Sequence, residues 1–197
     1  MLEKLSHPNI VKVYEYYDEN RFFSMICDLH EGGDVLAAVI ENVRLKEAQA
    51  KALISTLVGV IQYIHGQNII HRDIKPDNCL LKQRGEYSTM VLVDFGTAIS
   101  NTASEAKYMV GTAEYIAPEV IDSNYDTKCD MWSLGCLTYM VLCGLPPFAG
   151  NTEAALLSAV KKGEFEFDLK CWTEVSPAAK DFIKRLIVVD PAVRMSA

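Results

Sequence analysis

Residues His71 to Asn78, HRDIKPDN, bring an imidazole, a guanidinium, two carboxylates, an ammonium and a carboxamide into eight positions, with Pro76 stiffening the middle. A carboxylate can take a proton, an ammonium can neutralise an oxyanion, and an amide oxygen can ligate a hard cation. The run lies between the apolar ALISTLVGVIQYIH and the short apolar CLL. It therefore reads as an ordered loop that presents chemistry, and not as a packed helix or strand. A further carboxylate, Asp94, ends the apolar run MVLV.

The elements that must hold these groups can be read from periodicity. NIVKVYEYY and RFFSMICDL are β-branched and aromatic runs around the turn-prone DEN, an antiparallel hairpin. GDVLAAVIEN reads as a short helix with Asp34 near its N-cap. In the longer helix that follows, Ala52, Leu53, Thr56, Leu57, Val60, Ile61 and Ile64 recur at three- and four-residue steps, and Gly66 is expected to end it as a left-handed cap. NCLL and MVLVDFG form a second small hairpin, so chain reversal can bring Asn78 and Asp94 together. The Ala/Ser/Thr-rich stretch 96–119 has little period and the length of a functional loop. DMWSLGCLTYMVLCG is apolar on nearly all sides, the mark of a helix buried within the fold, and GLPPF stops it. TEAALLSAV and PAAKDFIKRLIVV continue as helices, with no internal repeat or linker.

Composition bounds the rest. The 197 residues are 50% hydrophobic with no low-complexity tract, enough for one sizeable core. A formal charge of -7 argues against nucleic acid or an anionic membrane as the main partner, since both are bound through clustered Lys and Arg. The 6 cysteines include no Cys-x-x-Cys pair and sit mostly in apolar contexts, which suits reduced, buried thiols and indicates neither a zinc site nor a disulfide frame. MLEKLSHPNI lacks an apolar core of signal length, and no later segment is apolar enough to span a bilayer. The expected setting is soluble and cytoplasmic, with the nucleus also open.

With these elements placed, the chain resembles the eukaryotic protein kinases. The resemblance is carried by HRDIKPDN (71–78), DFG (94–96), GTAEYIAPE (111–119), DMWSLG (130–135) and DPAVR (190–194), in family order and across most of the chain. It implies an α+β fold with a mostly α-helical large lobe and a remnant hairpin of the small-lobe sheet. Residues 1–29 would be that remnant and the hinge, and residues 30–197 the helical lobe without its last helix.

The implied reaction moves the terminal phosphoryl group of ATP, with Mg2+, to protein hydroxyls, a chemistry of positioning and charge neutralisation. By resemblance Asp73 orients the hydroxyl and accepts its proton, Lys75 neutralises the moving phosphoryl group, and Asn78 and Asp94 ligate the metal. Lys75 with Thr112 matches the serine/threonine-specific branch. Asp130 is expected to accept backbone N–H bonds from the loop, with ordinary helix capping as a compatible alternative. Glu119 and Arg194 resemble a structural ion pair. In CDLHEGGD, Cys27 would guard the back of the adenine pocket and the backbone of Asp28 and His30 would meet the adenine edge, with Leu80 and Val93 as the floor; core packing is an alternative for Cys27 and Leu80. Asp34 and Asp77 sit where acids meet a basic residue upstream of the acceptor, or else serve as a helix cap and a loop hydrogen bond.

LSHPNIVKVYEYYDEN, YDTKCDMWSLGCLTYMVLCGLPPFAGNTE and WTEVSPAAKDFIKRLIVVDPAVRMSA are similar to the calcium/calmodulin-dependent and calcium-dependent protein kinases, although the chain has no EF-hand loop. Arg72 could meet a phosphate on the activation segment, but Tyr108 stands three before Gly111 where many relatives carry a phosphorylated Thr. Thr102 and Ser104 are then candidates, and Tyr108 could simply pack. The family's glycine-rich lid, phosphate-binding lysine and partner glutamate are expected upstream of LSHPNI; no G-x-G-x-x-G occurs, and Glu3 is too near HPN to be that glutamate. The chain is therefore expected to be part of an active enzyme and poorly active alone, with an unpaired hairpin edge. The alternative is a catalytically weak scaffold or binding module, in which Asp73, Lys75, Asn78 and Asp94 would have no purpose.

Overall fold

A computed structural model describes residues 2, 5–19, 21–101 and 108–197. Thr102, Ser104 and Glu3 lie outside the described residues. The expected α+β architecture is present. One antiparallel hairpin, β1 (Val13–Glu19) and β2 (Phe22–Cys27), precedes a helical body. Every residue of the hairpin except Val13 is exposed, and its two strands pair only with each other among the described residues. Its root is fastened to the body: Leu92 N–H donates to the Asn9 carbonyl at 2.9 Å, Val11 N–H donates to the Leu92 carbonyl at 3.0 Å, and Asn9 Nδ2 donates to the Met90 carbonyl at 2.7 Å.

The body is built on α1 (Val35–Asn42), α2 (Glu47–Gly66), α3 (Pro118–Ile121), α4 (Lys128–Cys143), α5 (Glu153–Lys162) and α6 (Pro177–Leu186). Among the described residues two further strand pairs interrupt it: β3 (Ile69–Ile70) with β6 (Ile99–Ser100), and β4 (Cys79–Leu80) with β5 (Val91–Leu92). The last of these is the second small hairpin read from NCLL and MVLV. The β3–β6 pair was not legible in the aperiodic stretch after Gly96.

Capping residues set the helix starts. Asp34 accepts the Ala37 N–H, Thr152 the Ala155 N–H and Ser176 the Ala179 N–H. The end of α2 corrects the expectation: Gly66 is still helical, and Asn68 two residues on takes the left-handed conformation with φ 57°. Asparagine tolerates that region because its short polar side chain bonds locally. The buried face of α2 is also rotated slightly, since Ala50 and Ile54 are buried while Ala52 and Thr56 are only half-buried.

The end of α2 and the largely apolar α4 meet in the centre of the molecule. Cys129 to Cys143 are all buried, because α4 is packed by α2 on one side and α6 on another. Gly135 lets α6 come this close: a Cβ there would lie 2.8 Å from both Ile187 Cγ1 and Leu186 Cβ. The first turn of α4 thus lies inside the core, where a polar side chain can hold a loop from beneath.

Candidate active site

That side chain is Asp130, fully buried in the first turn of α4. Its Oδ2 accepts the His71 N–H at 3.0 Å, and its Oδ1 accepts the Arg72 N–H at 2.9 Å. His65 Nε2 lies 2.8 Å from Oδ2. Burial opposes the charge, but hydrogen bonding and attraction from His65, then His71, outweigh it and hold the carboxyl below its ordinary range. Thr127, and not Asp130, is the N-cap of α4, so Asp130 acts on the loop and on His65 and the capping alternative does not hold.

The loop is fixed along its length by the same logic. His71 is fully buried; its Nδ1 accepts the Asp73 N–H at 3.3 Å while Nε2 meets the Val93 carbonyl at 3.1 Å. One ring nitrogen must accept and the other must donate, which defines a neutral imidazole. Burial pushes the His71 pKa down, against the pull of Asp130, in agreement with that tautomer. Its ring stands edge-on to Phe95 at 4.7 Å between centroids. Arg72 adopts φ 70°, which turns the chain so that Asp73 faces the opposite way.

Asp73 then becomes the hub of a compact constellation. Lys75 Nζ lies 2.8 Å from Asp73 Oδ2 and donates to Thr112 Oγ1 at 2.8 Å. Thr112 Oγ1 donates to Asp73 Oδ1 at 2.7 Å, and Asn78 Nδ2 donates to Asp73 Oδ2 at 3.0 Å and to the Asp73 carbonyl at 2.8 Å. Burial raises the Asp73 pKa, yet the bonds from Lys75, Thr112 and Asn78 more than offset it and leave the carboxyl below its usual range. The group is a carboxylate at neutral pH. Gly111 makes Thr112's approach feasible: it holds φ 108°, and a Cβ there would lie 2.6 Å from the Arg72 carbonyl oxygen.

Because the Asn78 amide nitrogen is committed to Asp73, its oxygen is turned away from that pair. Val93 N–H donates to the Asn78 carbonyl at 3.0 Å, which sets Asp94 one residue from that bond. Asp94 is exposed, holds φ 56°, and accepts the Gly96 N–H on Oδ1 at 3.2 Å. An amide oxygen and a carboxylate are the donor chemistry that suits a hard divalent cation. Among the described residues no three His, Cys, Asp or Glu side chains converge to hold a metal by themselves. A metal here would need further oxygen ligands from water or a bound anion.

The remaining expected residues spread around this centre. Leu80 and Val93 are half-buried beside it, Leu80 pairing through its backbone with Val91 and bridging Asp34. Asp28 N–H is taken by the Lys12 carbonyl at 3.1 Å, and its side chain accepts the Tyr14 hydroxyl at 2.6 Å. His30 is half-buried with Nε2 enclosed and unpaired. Cys27 stands exposed at the end of β2, so among the described residues it does not pack into the core. Asp34 caps α1 at 2.7 Å, and Asp77 is exposed on the loop.

On the activation segment, Arg72 donates to the Thr97 carbonyl through Nε and to the Tyr125 hydroxyl through Nη1 at 2.8 Å, while the Tyr125 hydroxyl donates to the Tyr108 carbonyl at 3.0 Å. Tyr108 itself is 67% exposed, so the packing reading for its side chain fails. Glu119 and Arg194 form the expected buried pair, with Nη2 to Oε2 at 2.9 Å, and Arg194 also bonds the carbonyls of Lys128, Val188 and Val189.

His65, Thr97 and Tyr125 escaped sequence reading. His65 left a faint trace, a polar residue directly after the buried Ile64 at the end of an apolar face. Thr97, whose hydroxyl donates to the His71 carbonyl at 2.9 Å, and Tyr125 left none. An apolar groove of about 380 Å³ between α2, α4 and α6, lined by Ala50, Ile54, Leu142 and Phe182 among others, contains none of the loop residues.

Comparison with known proteins agrees with this geometry. The family described as protein kinase domain matches residues 1–197. The chain is 37% identical over 199 residues to calcium-dependent protein kinase 4 of Plasmodium berghei (strain Anka), covering 100% of this chain and 38% of that protein. It is 38% identical over 199 residues to calcium-dependent protein kinase 3 of Plasmodium yoelii yoelii, covering 100% of this chain and 37% of that one. Myosin light chain kinase A of Dictyostelium discoideum is 37% identical over 199 residues, with 100% of this chain and 68% of the relative covered. The chain therefore spans little more than a third of the length of these calcium-dependent relatives.

Proposed function

This chain belongs to the protein kinase domain family, and from that membership we propose that it is the catalytic-loop region of a serine/threonine kinase that moves the terminal phosphoryl group of ATP to protein hydroxyls. The observation that supports it most is the Asp73 carboxylate, ionised and gripped at once by Lys75, Thr112 and Asn78. Such a hub serves a reaction whose demand is alignment and charge neutralisation.

In this assignment Asp73 aligns the acceptor Ser or Thr hydroxyl and takes its proton as the oxygen–phosphorus bond forms. Lys75, already paired with Asp73, swings only its head to meet the migrating phosphoryl oxygens. Thr112 holds both in register. Asn78 through its amide oxygen and Asp94 through its carboxylate would hold a divalent ion, which we take to be magnesium; bound there it would offset the phosphate charge of the nucleotide. The residue 28 and 30 backbone, with Cys27, Leu80 and Val93, would face the adenine. Asp28 would use its carbonyl, since its N–H is engaged by Lys12.

For the protein substrate, Asp77 is exposed on the loop and Asp34 keeps one carboxylate oxygen beyond its cap bond. Both would favour a basic residue near the acceptor. No helix of the described residues is long and apolar enough to cross a membrane, and we assign the cytoplasm as the working compartment, with the nucleus also open.

The test is phosphorylation of a peptide array by the longer protein that carries this chain, with magnesium and ATP, beside an Asp73→Asn variant. Transfer to Ser or Thr in basic contexts that the variant loses is the expected result. Equal transfer by the variant would remove Asp73 from the reaction, and preference for acidic peptides would remove Asp34 and Asp77 from substrate choice.

A further inference from the structure

We propose that Cys143 and Cys171 are a peroxide-responsive dithiol that closes into a reversible intramolecular disulfide. The two sulfurs are 3.5 Å apart although 28 residues separate them in sequence. That is van der Waals contact between free thiols, and a disulfide would draw the two sulfurs in to about 2.05 Å. Cys143 is the buried last residue of α4, and Cys171 is a half-buried residue in the short turn Lys170–Glu174.

Both partners are held in place by neighbours, so the approach is built into the packing. Trp172, next to Cys171, is fully buried, its ring 4.7 Å from Tyr139 and 4.6 Å from Phe167 between centroids. Tyr139 lies one turn before Cys143 on α4 and donates its hydroxyl to the Glu166 carbonyl at 2.9 Å. The aromatic cluster thus clamps the 166–172 segment onto the end of α4. No other pair among the cysteines is in contact in the described residues, and Cys27 is exposed and remote on the hairpin.

The chemistry is stepwise. Cys171, the more accessible sulfur, attacks the peroxide O–O bond; its sulfur becomes a sulfenic acid and one oxygen leaves as water. The Cys143 sulfur then attacks that sulfenic sulfur, the S–S bond forms, the S–O bond breaks, and hydroxide leaves with the Cys143 proton as a second water. Two thiols lose two electrons in all, and one hydrogen peroxide becomes two waters. Burial, then the adjacent sulfur, push the Cys143 thiol up to about 11, so it stays protonated at neutral pH and leaves the first step to the more accessible Cys171.

The link would tie the Lys170–Glu174 turn to α4 at the end opposite Asp130, about 20 Å along the helix. It would stiffen the helical body without entering the catalytic loop, and so it is independent of the phosphoryl-transfer assignment. The experiment is non-reducing peptide mapping of the purified chain after hydrogen peroxide, with thermal unfolding in parallel. The expected result is a monomer with a reductant-sensitive cross-link between the peptides holding residues 143 and 171, and an unfolding midpoint raised by about 5 °C. Cys171→Ser abolishes both and Cys27→Ser leaves both intact. Trapping of Cys171 as a sulfenic acid without any cross-link, or peroxide products confined to Cys27, would overturn the proposal. Mapping of the unsubstituted chain decides even if a variant does not fold.

Discussion

The Asp130 carboxylate and the His71 amide, 59 residues apart in sequence, meet at 3.0 Å inside the molecule. A charge from a core helix thereby dictates the shape of the largely buried catalytic loop. His65 completes the arrangement from the end of α2, so the loop is held where two buried helices converge.

Removing that charge should loosen the whole region. Asp130→Ala leaves two buried amide donors and His65 without an acceptor, at a cost of about 3–5 kcal/mol. Urea unfolding measures it. Asp130→Asn keeps one acceptor oxygen and should lose less.

Acid should destabilise the fold earlier than surface carboxylates alone would allow. The folded state holds the His71 pKa below the ordinary 6.5, so between those two values the unfolded chain binds the extra proton. Its contribution is intact above 6.5 and is lost as pH falls toward the lowered value. Asp130 and Asp73, both held below 3.8, add a loss of the same sign in more acidic solution. Urea midpoints measured from about pH 7.5 down to about 5 should fall, and His71→Gln should flatten that slope.

The buried guanidinium of Arg194 satisfies Glu119 and three backbone carbonyls at once. Arg194→Ala should cost about 3–5 kcal/mol, and Arg194→Lys should recover only part of it, because an ammonium cannot reproduce the planar fork. Denaturant unfolding of both variants separates charge from geometry.

Gly135→Ala tests the approach of α6 to α4. The added methyl would meet Leu186 and Ile187 at 2.8 Å, so a loss of about 1–3 kcal/mol is expected despite the better helix propensity of alanine. A stabilised variant in thermal unfolding would show that α6 yields more readily than the packing suggests.

Thr112 bridges Asp73 and Lys75 through its hydroxyl. In the longer protein, Thr112→Ser should retain peptide phosphorylation, whereas Thr112→Val should lower kcat about tenfold, the effect of about one hydrogen bond. Equal rates for the two variants would make the bridge incidental.

Much of this was legible in the residues themselves. The polar run 71–78 could only be a loop, fifteen successive buried residues of α4 could only be a core helix, and alternating aromatic and β-branched residues marked the hairpin. These are local properties: composition and period report which faces must leave water. Even the Glu119–Arg194 pair was implied by the resemblance to the kinase family and not by any local rule. What periodicity could not say is which polar group meets which across the core. That His65 completes Asp130, that Arg72 rests on Tyr125, that Asn68 and not Gly66 turns the chain, and that Cys143 touches Cys171 were decided only when α2, α4 and the segments packed on them came together. Each depends on the crossing of elements distant in sequence, and a hydrogen bond is sensitive to a few tenths of an ångström where a hydrophobic pattern is not.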